Sequence, residues 1–172
     1  MKSRFSSVQY LALFFSLTLG VVTVSAQAPA PPTNAAPAGA PALDFGDFSS
    51  ATLTTKAWKA LESKDYAGVA GYTGKCIDSF KAQAVQMQGT LKAPAPKDSA
   101  NTYWALNDVG TCYFIAGKAL DDQGDKKGAI AAYKFLVDNL SFAQCWDPQG
   151  WFWKPADGAK KRLTELQFDA AQ

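Results

Sequence analysis

Carboxylates and aromatic rings carry most of the chemistry that this 172-residue chain offers, because it contains no histidine. That composition excludes a Ser-His-Asp triad, a Cys-His pair and a His-ligated metal site. Two carboxyls could still act as a glycosidase acid and base if they lie within about 9.5 Å of each other across a cleft. The candidates are Glu62, Asp108, Asp121, Asp122 and Asp147. Because solvated carboxylates are common beside turns, we expect no catalytic residues, and we expect no metal or cofactor.

Aromatic side chains offer a second kind of chemistry, the binding of sugars. Exposed tryptophans stack on sugar rings or apolar ligands, and a pocket lined by several of them would bind a glycan. The residues that could form such a surface are Tyr103, Trp104, Trp146, Trp151 and Trp153. The other interpretation, which we favour from the sequence, buries these rings as the cap of a helical stack. The exposure of Trp151 and Trp153 decides between the two.

The three cysteines allow one disulfide and one remaining thiol, as expected for an exported protein. Cys112 lies near the start of one predicted helix and Cys145 lies beyond the end of its partner. Antiparallel packing of those helices would bring the two residues together, so we predict a Cys112–Cys145 bridge and a core position for Cys76. Three free, buried thiols remain the alternative. A catalytic thiol is not expected, since no histidine can activate it.

The amino terminus has the features of a signal peptide. Lys2 and Arg4 precede an uncharged apolar run over residues 11–24, and small residues at 24–26 match what a signal peptidase recognises. The run is shorter than the roughly 20 residues of a transmembrane helix, which disfavours an uncleaved anchor. We therefore expect a signal peptide over residues 1–26 and export to the periplasm or the extracellular space, with no stable membrane anchor after cleavage.

Residues 27–43 contain five of the nine prolines and no charge, which is typical of a Pro/Ala-rich disordered linker. The folded domain is expected over residues 44–172. The first 26 residues hold two of the 17 basic residues and none of the 15 acidic ones, so the remainder has a net charge of zero. Because no basic excess remains, we do not expect a nucleic-acid partner.

Apolar residues recur at helical spacing in the rest of the chain, which predicts an all-α fold. The clearest stripe consists of Val109, Cys112, Tyr113, Ala116 and Leu120. The turns Lys64-Asp65-Tyr66 and Gly124-Asp125-Lys126 lie sixty residues apart and correspond to each other, and the aspartate of each is predicted to cap the helix that follows. Turns this short predict two antiparallel helical hairpins.

One hairpin resembles a known repeat. Tyr113-x-x-Ala116-Gly117-x-x-Leu120 followed by Ala129-x-x-x-Tyr133 is similar to the tetratricopeptide repeat pattern, and residues 63–72 resemble a weaker unit. The resemblance implies a short right-handed array of about two units. The aromatic segment 145–153 and a final helix over residues 155–167 would cap it.

In such an array the first helix of each unit lines a concave groove. The resemblance places Phe114, Lys118, Asp121 and Asp122 in that groove, where Lys118 would hold a peptide carboxylate and Phe114 an apolar side chain. We therefore expect a non-catalytic module that binds a protein or peptide, or acts as a scaffold. The alternative is a carbohydrate-associated protein, glucan-binding or glucanase-related, that uses its tryptophans.

Overall fold

The computed structural model describes residues 42–147 and 149–170, and most of these residues are helical. The predicted signal peptide and most of the predicted linker lie outside them. The elements in chain order are α1 Ser50–Glu62, α2 Tyr66–Gly89, a 3₁₀ helix Lys97–Tyr103, α3 Trp104–Asp122, α4 Lys126–Asn139, β1 Cys145–Asp147, β2 Trp151–Trp153 and α5 Pro155–Ala170. The all-α prediction is confirmed apart from the small β-hairpin.

The turns before α2 and α4 share one geometry. Asp65 and Asp125 cap these helices by accepting hydrogen bonds from the backbone N–H groups of Gly68 and Gly128, each at 2.9 Å. The cap satisfies an amide that would otherwise lack a partner at the helix start. Both turns span three residues, which makes α1 antiparallel to α2 and α3 antiparallel to α4.

Substitutions at the centre of each turn would measure how much local backbone strain affects stability. Lys64 and Gly124 occupy equivalent positions with φ of 58° and 81°, in the left-handed region that costs a non-glycine residue about 1 kcal/mol. We expect Lys64→Gly to raise the free energy of unfolding by about 0.5–1 kcal/mol, and Gly124→Ala to lower it by about 1 kcal/mol. Urea denaturation of the full chain checks both values. A Lys64→Gly variant less stable than the parent would contradict this account of the turn.

Helix α3 lies at the centre of the packing. It contacts α2 and α4 most extensively and also touches α1 and α5, while α5 covers α4 as a terminal layer. One fully buried core runs through all five helices, and its members include Leu53, Cys76, Val109, Cys112, Leu136 and Leu166. Among the described residues, no helix combines the length and apolarity needed to cross a bilayer.

The aromatic segment forms a β-hairpin where the sequence predicts a capping loop. Trp146 pairs with Phe152 across the two strands. The turn is held by Asp147, whose side chain accepts from the Gln149 N–H at 2.8 Å and whose carbonyl accepts from the Gly150 N–H at 2.9 Å. Aromatic residues favour β-strands, so the aromatic segments on either side of this turn pair as two strands. The hairpin packs against α3, where the Trp153 ring lies edge-on against Phe114.

Candidate functional site

Two helices present the same kind of surface to the hairpin. Each carries one tryptophan and three polar residues at positions i, i+3, i+4 and i+7, which lie on one face of a helix. These residues are Thr55, Trp58, Lys59 and Glu62 on α1, and Trp104, Asn107, Asp108 and Thr111 on α3. The two stripes and the hairpin enclose a space that we call the tryptophan cleft.

The tryptophan cleft has two chambers that share Cys145 and Trp146. The outer chamber, about 510 Å³, lies between the α1 stripe and the hairpin residues Cys145, Trp146, Asp147 and Trp153. The inner chamber, about 160 Å³, lies over the α3 stripe and has room for a few water molecules. A further space of about 530 Å³, lined by Lys97, Asp98, Asn101, Trp146 and Phe152, adjoins the inner chamber. Of the two chambers of the cleft, the outer one has the size of a small-molecule site and the inner one does not.

A larger depression of about 630 Å³ lies beside the turn between α1 and α2 and shares Thr55 and Lys59 with the outer chamber. Its lining is mainly alanine, lysine and hydroxyl side chains, with Tyr72 as its one aromatic residue. It is shallow and lacks converging aromatic rings. The tryptophan cleft is therefore the stronger candidate site, although neither of its chambers is as large as this depression.

Aromatic contacts fix the rings of the cleft in place. Phe114 of α3 lies behind the outer chamber, with its ring centroid 5.2 Å from that of Trp153 and 6.2 Å from that of Trp58. Trp146 packs edge-on against Phe152 at 5.0 Å, with the Lys97 ammonium 5.6 Å from its ring centroid. These contacts hold three indoles around one space, and Trp146 still has 49% of its surface exposed.

Buried polar residues fix the floor of the inner chamber. The Asn107 amide donates to the Ala100 carbonyl at 2.8 Å and accepts from the Gln144 N–H at 2.9 Å. The Gln144 side chain in turn donates to the Ala95 carbonyl at 2.9 Å. This network joins the 3₁₀ helix, α3 and the approach to β1, so the hairpin is attached to the helices by directional bonds as well as by packing.

Asp108 is the most buried carboxyl of the cleft. Burial raises its pKa, and the hydrogen bond donated by the Ser50 hydroxyl opposes that rise. Cys145 lies close to both Asp108 and Asp147. Burial raises the pKa of the Cys145 thiol, and the charges of those two carboxylates act in the same direction. The two carboxyls thus approach the cleft from its inner and outer sides.

The pKa of Asp108 gives a pH-dependent prediction. The folded state holds the Asp108 proton more tightly than the unfolded chain, so its contribution to stability is largest below the ordinary pKa of 3.8. That contribution falls as pH rises through the raised folded value. Asp108→Asn keeps an acceptor for Ser50 and does not ionise, so its stability relative to the parent should increase from pH 3 to pH 7.

Urea denaturation of the parent and the Asp108→Asn variant at pH 3, 5 and 7 measures this difference. The remaining carboxyls titrate in both proteins and therefore cancel. A stability difference that stays constant, or that shrinks as pH rises, would show that Asp108 ionises at least as readily in the folded protein as in the unfolded chain, and would contradict the raised pKa.

The four residues expected in a concave groove do not form an open surface together. Phe114 is covered by Trp58, Trp153 and Tyr133. Asp121 accepts two hydrogen bonds from the Arg162 guanidinium of α5, at 2.6 and 2.9 Å, and these hold the pKa of Asp121 below its ordinary value.

Lys118 and Asp122 remain exposed and pair with each other at 3.5 Å. The hairpin thus covers part of Phe114, the expected apolar contact. Asp121, one of the expected charges, is paired with Arg162 of α5. Lys118 and Asp122 are the exposed part of the predicted groove, whereas Phe114 and Asp121 are partly buried.

The predicted aromatic surface is present in part. Trp104 and Trp153 line the tryptophan cleft, and Trp151 is 49% exposed but lines none of the described cavities. Tyr103 is half-buried against the core. The cleft tryptophan that the sequence analysis missed is Trp58. Its stripe with Thr55, Lys59 and Glu62 was the available signal.

Of the five candidate carboxylates, three border the cleft: Glu62 and Asp147 in the outer chamber and Asp108 in the inner one. Asp121 and Asp122 lie at the far end of α3. In the described part of the chain, no group of three or more acidic or cysteine side chains is placed to hold a metal ion.

The predicted Cys112–Cys145 bridge is absent, and the structure contains all three cysteines in the unbridged form. The Cys112 sulfur lies in the core, 3.3 Å from Thr54 Oγ1 and beside Cys76. Cys145 lies instead against Thr111 and Trp153. Successive residues of a helix point about 100° apart, so Thr111 faces the hairpin while Cys112 faces the core.

No family model matches the chain, and no match was found among curated proteins or solved structures. A functional assignment must therefore come from the geometry of the cleft.

Proposed function

We propose that the chain is a non-catalytic binding module whose tryptophan cleft holds a glycan. The observation that carries this proposal is the outer chamber, where the indoles of Trp58, Trp146 and Trp153 border one space of about 510 Å³. Glu62 and Asp147 border the same space. Rings and carboxylates around one cavity of this size match the chemistry of a sugar, which has apolar C–H faces and a rim of hydroxyls.

Each part of the chamber has a role in binding. An indole face takes the C–H face of a sugar ring and removes apolar surface from water. Carboxylates accept hydrogen bonds from hydroxyl groups, and the Lys59 ammonium can donate one. The indoles are held by Phe114 and Phe152, so little side-chain freedom is lost when a ligand binds.

The same proposal includes two further points. The helices form a tetratricopeptide-like array, and the protein is exported. The equivalent turns, their aspartate caps and the contacts of α3 with both α1 and α5 support an array in which α1, α3 and α5 share one face. The hairpin then occupies the face on which such an array would bind a peptide. Export would follow from a signal peptide over residues 1–26, which places the cleft where glycans are found.

A glycan panel tests this function. We would titrate the full chain with soluble gluco-, chito- and xylo-oligosaccharides and follow tryptophan fluorescence, because all five tryptophans lie in the described domain. We expect a saturable change with at least one oligosaccharide class. A flat response across the panel, from protein whose circular dichroism shows folded helices, would overturn the proposal.

A second candidate function is the binding of a protein partner. Phe168 on α5 is 67% exposed, more than any other large apolar side chain among the described residues. The terminal helix therefore presents one large apolar side chain to solvent. A peptide library probed with the parent and with Phe168→Ser would support this function if the parent bound a peptide and the variant did not.

A further inference from the structure

Cys76 and Cys112 lie together in the interface between α2 and α3. Both side chains are fully buried and belong to one core cluster. Cys76 is the neighbouring group that, after burial itself, most raises the pKa of the Cys112 thiol. The two thiols thus share a site from which water is excluded.

The register of the two helices agrees with this placement. α2 and α3 form one of the most extensive helix contacts in the domain. Phe80 of α2 packs edge-on against Trp104 of α3 at 5.6 Å. Burial raises the pKa of the Tyr113 phenol, and Asp78 of α2 lies close enough to add to that rise. Residues near position 78 of α2 therefore lie beside the first half of α3, where Cys112 is found.

We propose that Cys76 and Cys112 form a disulfide when the chain folds in an oxidising compartment, and that Cys145 remains the single thiol, placed in the tryptophan cleft. This pairing goes beyond the proposed function and does not depend on it. It replaces the Cys112–Cys145 pairing suggested by the sequence.

The chemistry requires a disulfide oxidant such as glutathione disulfide. One protein thiolate attacks the oxidant, forms a mixed disulfide and releases one glutathione thiol. The second protein thiolate then attacks the mixed disulfide and releases the other. Two protein thiols are oxidised and one oxidant disulfide is reduced to two thiols. Because both cysteines are fully buried in the folded domain, an oxidant cannot reach them there, and the bridge forms before the core closes.

The bridge would close a loop of about 36 residues and join the two helical hairpins. In the chain-entropy model, such a cross-link raises the midpoint of thermal unfolding of a domain of this size by roughly 10 °C. Reduction of the bridged protein should remove this increment, whereas the Cys76→Ala/Cys112→Ala double variant should show no change in midpoint on reduction.

The test refolds the full chain from urea in a glutathione redox buffer, blocks free thiols in denaturant and maps tryptic peptides by mass. The peptides of Cys76 and Cys112, residues 76–81 and 98–118, should appear joined, with a mass about 2 Da below their sum, and only Cys145 should carry the blocking group. Cys145→Ser, the matched control, should give the same joined peptide and no blocked thiol.

Three blocked cysteines in correctly folded protein would overturn the proposal, and so would any bridge that contains Cys145. If the Cys145→Ser variant fails to fold, the peptide map of the parent still decides the question. Glycan titration of the same samples keeps the two proposals separate, since either can fail while the other holds.

Discussion

Replacing Trp146 by alanine should lower the affinity of the cleft for its glycan by at least about 30-fold. Trp146 is shared by both chambers and by the adjoining space, so its loss would open the cleft on every side. Aromatic anchors at the centre of a binding site typically contribute 2 kcal/mol or more, and each 1.4 kcal/mol is a factor of ten. Isothermal titration calorimetry with the oligosaccharide found in the panel measures the loss.

Trp151→Ala provides a matched control for this prediction. Trp151 lies on the same hairpin and has the same exposure as Trp146, 49%, but it lines none of the described cavities. We expect its removal to leave the affinity within about twofold of the parent value. Equal losses in the two variants would show that the hairpin as a whole, and not the tryptophan cleft, is what the ligand needs.

Gly117→Ala should destabilise the domain by about 1–3 kcal/mol, although alanine is the better helix former. A Cβ atom at position 117 would lie 2.5 to 2.9 Å from three ring atoms of Tyr133. Tyr133 is 2% exposed and packed in the core, so its ring cannot move aside cheaply. The overlap should therefore outweigh the gain of about 1 kcal/mol in helix propensity.

Gly74→Ala is the control for Gly117→Ala. Gly74 also lies within a helix, but a Cβ there would meet nothing within 4 Å. We expect this variant to gain about 0.5–1 kcal/mol of stability. Urea denaturation of both variants of the full chain gives the comparison. If both are stabilised equally, α3 and α4 do not approach each other as closely as the structure shows.

The helices were predictable because their signals are local. Asp65 and Asp125 each cap the helix that begins at the next residue. The apolar stripes follow from the 3.6 residues per turn of an α-helix. The hairpin was not predictable in this way. Its turn depends on the Asp147 side chain accepting a hydrogen bond from Gln149, in a run of residues whose aromatic content equally suited a packed loop.

The site could be predicted only in part from the sequence, because its residues come from separate secondary-structure elements. The sequence indicates Trp104 and Trp153 as candidate aromatic residues, but no local pattern links them to Trp58 on α1. Cys112 and its neighbour Thr111 point in directions about 100° apart around α3. This difference decides which of the two side chains faces the hairpin and which faces the core. The way in which distant elements line up has no local sequence signal. The predicted Cys112–Cys145 pairing is therefore absent from the structure, although the predicted helices are present.

The most direct test of the tryptophan cleft is the two-dimensional ¹⁵N–¹H spectrum of the five indole N–H groups, recorded while the oligosaccharide from the panel is added to the full chain. We predict that the indole signals of Trp58, Trp146 and Trp153 shift together and saturate, whereas the signal of Trp151 stays in place. The corresponding Trp→Phe variants assign the signals. A shift confined to Trp151, or no shift in any of the three cleft indoles, would contradict the account.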